Sequence, residues 1–406
     1  MRVLFVVPYV PSLVRVRPYN LIRHLAALGH EITIATVWTD AQSKDEVEQL
    51  RRNGFRVQAD YLPQQRSLWN CLRALPGSTP LQAVYSWQPA LMRRLDREAA
   101  NFDVVHVEHL RGANYGLALK AQLSRCGKTL PVVWDSVDCI THLFRQAVNR
   151  SQSPLRRLLT RLELGRTERY EGWLVKQFDQ VLVTSTAEQA ALRSLLPAGQ
   201  QIDCLNVLTN GVDLAYFTPG TAAEREPARL VLSGKMSYHA NVSMVAHFVS
   251  SILPLIWARQ PEASLWIVGK DPPARIRGLA EDRRISVVGT VSDIRPYLQR
   301  ASVAVAPLTY GAGVQNKVLE AMACATPVVA YPQAVSALAV QPGVDVLTPH
   351  GPQAFAEAVL DLLENPAQQR AIGAAGRQFV ETHHRWDRVA MQLEKYYDEL
   401  ITAKHQ

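Results

Sequence analysis

Lys317 and Glu320 stand three residues apart just after Gly311-Ala312-Gly313-Val314. On a helix that spacing puts both on one face. The glycines let the backbone approach a ligand closely. A glycine loop feeding a helix N-terminus is an anion site, because its free N–H groups and the helix dipole both favour negative charge. A lysine at the same terminus opposes the dipole, which makes sense where an anion sits. Glu320, one turn deeper, is placed to accept hydrogen bonds from a ribose. The plain alternative is an ordinary αβ unit with a solvated Lys–Glu pair. Further chemistry-bearing residues follow apolar runs. Lys235 comes after Arg229–Ser233, and Glu108, His109 and Arg111 come after Asp103–Val107. Arg15 and Arg17 lie beyond Arg2–Val7, and Asp135 and Asp138 at the end of Pro131–Trp134. In open α/β sheets ligands bind beyond the carboxyl ends of strands, so all of these are candidates; satisfied strand ends and surface charge are the bland readings. Asp135 and Asp138 either bind metal or cap a helix, and capping is favoured because no partner acid pair or His cluster stands near them.

The elements that must position these residues alternate between strand and helix. Arg2–Val7, Glu31–Val37, Phe55–Gln58, Asp103–Val107, Pro131–Trp134, Gln180–Thr184 and Cys204–Leu208 read as buried parallel strands. Tyr9–Arg17 reads as a loop, with Pro18 at the first position of the next helix. No GxGxxG follows the first strand, so a dinucleotide fingerprint is absent. A polar stretch around Tyr216–Pro227 reads as a linker, after which the alternation restarts. Strands are expected at Arg229–Ser233, Ser264–Val268, Ile285–Val288, Val303–Ala306, Pro327–Ala330 and Val344–Leu347. Asn241 is expected to cap a helix over 241–259, and Asn316 one over Lys317–Cys324. Two such arrays imply two Rossmann-like domains facing each other across a cleft: residues 1–208, residues 209–385, and a last helix, 386–406, that crosses back to the first.

At 406 residues the chain is too long for one typical core. Its five cysteines form no CxxC pair, as in a reduced cytoplasmic protein without zinc or disulfides. The apolar start is too short for a signal peptide, and no stretch reads as long enough to span a bilayer. A net charge of +8 points to anionic partners, but the bases are dispersed and no nucleic-acid module is present. The region 141–180 reads as one long basic helix. Arg145, Arg150, Arg156, Arg157, Arg161, Arg166, Arg169 and Lys176 outnumber its acids, and Leu162 and Trp173 give it an apolar side. Such a helix either lies on an anionic membrane surface or is simply solvated.

Several segments together resemble glycosyltransferase family 4, with the GT-B fold, and are most similar to sugar transferases of bacterial exopolysaccharide clusters. They are Asn210-Gly211-Val212-Asp213 with Phe217 and Pro219, Gly234-Lys235-Met236, Val318–Cys324 with Pro327–Ala330, and Trp386-Asp387. The resemblance implies metal-independent, retaining transfer of a sugar from a nucleotide-diphosphate donor, with no cofactor. The donor would lie on the second domain, at Gly234, Lys235, Gly311, Gly313, Val314, Lys317 and Glu320. A glycan or polyprenyl-linked acceptor would lie mainly on the first, near Arg15, Arg17 and Arg111. Lys235 takes the place of the family's usual arginine at the pyrophosphate, and Glu320 that of the ribose-binding carboxylate. The family's first glutamate falls on Ala312, and its second phosphate cation falls near His239–Asn241, a charge for which Lys317 is the replacement. Glu108 aligns with the family's strand-end histidine, with His109 beside it. Lys235, Lys317 and the N–H groups of Gly313 and Val314 would stabilise the leaving diphosphate, and Glu108 or His109 would orient the acceptor hydroxyl or the donor sugar. The implied setting is polysaccharide biosynthesis in the cytoplasm, peripheral on the inner membrane face. The competing readings are a nucleotide-sugar epimerase of the same fold and a non-catalytic nucleotide-sugar or glycan-binding protein.

Overall fold

In a computed structural model the chain forms two compact units, Met1–Thr209 with Trp386–Gln406, and Asn210–Arg385. The structure describes all residues except 14, 151–153, 198, 200–201, 222–224, 237, 311–312 and 406, and all their side chains except those of 147–150, 154–159 and 405. Gly311, Ala312 and the side chains of Arg150, Arg156 and Arg157 therefore lie outside the described residues.

The first unit is a parallel sheet of β1 (Arg2–Val7), β2 (Glu31–Trp38), β3 (Arg56–Tyr61), β4 (Val104–Glu108), β5 (Val132–Val137), β6 (Gln180–Val183) and β7 (Leu205–Val207). The spatial order is β3-β2-β1-β4-β5-β6-β7. The strands are runs of β-branched and other apolar residues because both faces are covered. Leu4, Val105 and Trp134 pack on one face, Val3, Phe5 and Val104 on the other. The helix Trp386–His405 belongs to this unit and buries Trp386, Val389, Leu393 and Tyr397 against the second of those faces. Strand order reverses between β1 and β4, so their carboxyl ends frame the switch-point crevice where α/β sheets bind ligands.

The second unit repeats the scheme with β8 (Arg229–Ser233), β9 (Ser264–Val268), β10 (Ile285–Gly289), β11 (Val303–Ala306) and β12 (Val328–Ala330), in the order β10-β9-β8-β11-β12. Its switch point lies between β8 and β11. Val344–Leu347 does not extend this sheet as expected. Leu347 makes a single bridge to Val329 and Val346 turns back to bridge Pro342, because a turn consumes the local backbone groups: the Val344 and Asp345 amides both donate to the Gln341 carbonyl.

Helices differ from expectation at their ends. The first begins at Val16, which puts Arg17 inside it rather than in a loop. The helix after β8 begins at His239 and runs through a π turn, Phe248–Ile252, into Leu253–Trp257, so Asn241 sits in its first turn and is not its cap. At 19 residues and a mean hydropathy of 1.4, this run is long and apolar enough to cross a bilayer, contrary to the sequence reading; half of it is buried in the unit, with Phe248, Ile252 and Ile256 in the core. The region 141–180 is two helices, Ile140–Arg150 and Pro154–Leu174. Among its described side chains, two bases are spent on its own acids, Arg145 on Glu168 and Arg166 on Glu163.

Candidate active site

In the second unit, β8 and β9 are each followed by Gly-Lys. Gly234 and Gly269 adopt φ of 146° and 154°, a region that side chains disfavour. A Cβ on Gly269 would stand 1.7 Å from the Gly234 carbonyl oxygen, and one on Gly234 would stand 2.9 Å from the Asn241 amide nitrogen. Only glycine allows these strand ends to meet. Gly269 was not singled out from the sequence, although its signal was present: the second Gly-Lys after an apolar strand.

Asn241 ties this glycine turn to the lysine. Its Nδ2 donates to the Lys235 carbonyl at 2.9 Å, and its Oδ1 accepts from the Lys317 ammonium. Asn241, at the position of the missing second cation, and Lys317 are thus in contact. Lys317 is the second residue of the helix Asn316–Ala323, whose cap position is Gln315. Asn316 is not the cap; its Oδ1 accepts from Asn210 Nδ2 at 3.4 Å. Burial pushes Lys317 down to about 8 against the pull of Glu320, and burial raises Glu320 to about 7 against the pull of Lys317. Lys235 is exposed. Gly313 has a left-handed φ of 68°. Tyr310, just ahead of that loop, stacks on His239 at 5.4 Å and shares a 2.6 Å hydrogen bond with its Nδ1.

In the first unit the switch-point crevice is lined by Tyr9, beyond β1, and Glu108, the last residue of β4. The Tyr9 hydroxyl donates to Glu108 Oε1 at 2.6 Å. Burial, and then the negative charge of Asp135, raise Glu108 to about 8, so it holds its proton at neutral pH. The Arg15 guanidinium covers the Tyr9 ring at 4.5 Å. His109 opens the next helix with φ at 63°; such strain in a non-glycine residue persists where surroundings dictate it. Burial, Arg111 and Arg15 lower its pKa to about 3, so it stays neutral. Its Nδ1 accepts from the Arg111 backbone N–H at 3.3 Å. Gly116 lets this helix lie on the sheet: a Cβ there would come within 2.7 Å of Val107 and 2.8 Å of Phe178, whereas one on Gly112 would meet Val107 at an ordinary 3.5 Å. Gly116 was not singled out from the sequence.

Arg17 is placed differently from Arg15 and Arg111. It is 5% exposed and grips Asp135 with two bonds, 2.8 Å from Nε and 3.1 Å from Nη2. Asp135 also lies 3.5 Å from His106 Nε2, and His106 Nδ1 meets the Tyr397 hydroxyl at 2.8 Å. Arg17 is therefore an internal support, not a surface cation. Capping at the head of the helix Ile140–Arg150 falls to distant acids and not to Asp135: Glu188 accepts from the Cys139 N–H, and Glu171 from those of Ile140 and Thr141. Among the described residues no group of three or more His, Cys, Asp or Glu is arranged to hold a metal.

Comparison with known proteins gives two family matches: a glycosyl transferase 4-like domain over residues 14–204 and glycosyl transferases group 1 over residues 227–365. The chain is 26% identical over 237 residues to a GDP-mannose-dependent monoacylated alpha-(1-6)-phosphatidylinositol monomannoside mannosyltransferase of Corynebacterium glutamicum, covering 53% of this chain and 61% of that one. The chain spans less than two thirds of the length of that relative and of the next such relative, a glycogen synthase of Mycobacterium tuberculosis, where the match covers 56%. Among solved structures, sucrose-phosphate synthase from Thermosynechococcus elongatus superposes with a TM-score of 0.71 at 22% identity, covering 99% of this chain and 100% of that one. The Anabaena protein HepE in complex with UDP superposes with a TM-score of 0.67 at 14% identity, covering 98% and 100%. At such identities the structural likeness speaks for the fold.

Proposed function

The chain belongs to the family 4-like glycosyltransferases of the GT-B fold, and from that premise we propose that it transfers a sugar from a nucleotide-diphosphate donor to a glycan or lipid-linked acceptor, with retention and without a metal, at the cytoplasmic face of the membrane. The observation that carries this is Lys317. A half-buried ammonium at the head of its own helix opposes the dipole and loses hydration, as its lowered pKa records. An anion bound beside Lys317 and Lys235 offsets both costs. As the glycosidic bond breaks, the departing diphosphate gathers charge, and the two lysines with the Gly313 and Val314 N–H groups stabilise it. Glu320 accepts hydrogen bonds from the ribose. In the first unit the neutral His109 and the protonated Glu108 orient the sugar or the acceptor hydroxyl, and Arg15 and Arg111 hold acceptor oxygens.

The test is a titration with UDP, GDP and ADP and their sugars, read by calorimetry and by release of free nucleoside diphosphate without acceptor. We expect binding of one nucleotide class, weakening as pH rises through about 8 while Lys317 loses its proton. We also expect slow donor hydrolysis that EDTA leaves unchanged. Binding without any hydrolysis or transfer selects a non-catalytic binding protein. Activity lost to EDTA and restored by magnesium overturns the metal-free mechanism.

A further inference from the structure

The helix Gln64–Ala74 of the first unit is built inside out. Its packed side carries Ser67, Asn70 and Cys71. Ser67 is buried, Asn70 Nδ2 donates to the Trp87 carbonyl at 2.8 Å, and Cys71 Sγ lies 3.9 Å from the Leu81 carbonyl. Its outer side carries Leu68, Trp69 and Leu72, exposed by 62%, 54% and 57%, and Leu75 continues the stripe at 48%. An ordinary surface helix turns such residues toward the core. Single exposed leucines need no explanation, but a contiguous stripe of four large apolar side chains marks a contact surface.

Charge identifies what covers it. From Tyr61 to Leu95 the chain has no Asp or Glu, while Arg66, Arg73, Arg93 and Arg94 are present. Arg94 is paired with Asp60. Arg66 and Arg73, on the helix itself, are exposed, and neither has an ion pair among the described residues. Leucines and a tryptophan between unpaired arginines suit the boundary between acyl chains and lipid phosphates. A twofold contact between copies of this chain would instead bring like charges together. The exposed surface continues toward the crevice: Tyr85, in the next helix, lies under the Arg111 guanidinium at 5.2 Å.

We infer that Gln64–Ala74 is an interfacial helix that seats the first unit on an anionic phospholipid surface. This goes beyond the proposed transfer reaction and moves the membrane contact away from the basic region 141–180.

The experiment uses the full chain. It should sediment with phosphatidylglycerol vesicles at low salt, release at high salt, and bind phosphatidylcholine vesicles weakly. The triple variant Leu68→Gln, Trp69→Gln, Leu72→Gln should lose at least about tenfold in vesicle affinity. The double variant Arg66→Gln, Arg73→Gln should weaken binding and flatten its salt dependence. Nucleoside diphosphate binding should be unchanged in both, which separates this inference from the transferase reading. Should the triple variant fold poorly, brominated lipids decide the matter: they should quench tryptophan emission of the wild type, and Trp69→Phe should remove that component. Wild-type vesicle binding by the triple variant, or quenching unaltered in Trp69→Phe, overturns the inference. So does self-association of the wild type that the triple variant abolishes without any vesicle binding.

Discussion

Two sheets whose first five strands follow the same spatial order carry opposite chemistry at their switch points. In the first unit the crevice between β1 and β4 holds a buried carboxyl that keeps its proton, a neutral histidine, and behind them the Arg17–Asp135 pair. In the second, glycine lets the ends of β8 and β9 meet, and Lys235 and Lys317 stand beside the end of β8, at the switch point. The shared topology dictates where a ligand is held, and the side chains at the strand ends dictate which ligand. The difference also has a physical logic. A neutral carboxyl and a neutral imidazole suit uncharged hydroxyls, whereas lysines at a helix N-terminus suit an anion.

The harshest way to break this contrast is Asp135→Asn. It leaves Arg17 buried without its carboxylate, and removing one partner of such a pair costs about 3–5 kcal/mol. Denaturant unfolding should register that loss, while nucleotide binding by the second unit persists below the new midpoint. Unchanged stability would mean that the pair is not the support described.

Glu108→Gln sharpens the contrast from the other side. In the fold Glu108 keeps its proton up to about pH 8, whereas an unfolded glutamate releases it near 4.5. Through Glu108 the native protein therefore gives up stability as pH rises from about 5 to 8, and this group costs nothing further beyond. The glutamine variant lacks that contribution and should gain roughly 4 kcal/mol on the wild type across this window. Urea curves measured at each pH unit test it, and curves that stay parallel would show that Glu108 is not held neutral.

The smallest expected effect is kinetic. Lys317→Ala and Lys235→Ala should each lower turnover by about a hundredfold, close to 2.7 kcal/mol, with the fold intact. Steady-state transfer assays check this, and a wild-type rate in either variant removes that lysine from the proposed mechanism.

The sequence by itself determined every strand but the one expected at Val344–Leu347, and the strand ends after which the charged residues fall. Runs such as Val3–Val7 and Val303–Ala306 are apolar without alternation because both faces of each sheet are covered, and Lys317 and Glu320 share a helix face by spacing alone. Other features required the tertiary structure, because they depend on atoms far apart in the chain. Arg17 reads as a surface cation until Asp135, 118 residues away, is seen gripping it. Asn241 reads as a cap until it is found between Lys235 and Lys317, 76 residues beyond. The caps of the helix Ile140–Arg150 come from Glu171 and Glu188, which no local pattern signals. Pattern and propensity report what a residue does for its own helix or strand. Whether its charge is spent inside the fold or kept for a ligand is settled by burial and by partners that only chain folding brings within reach.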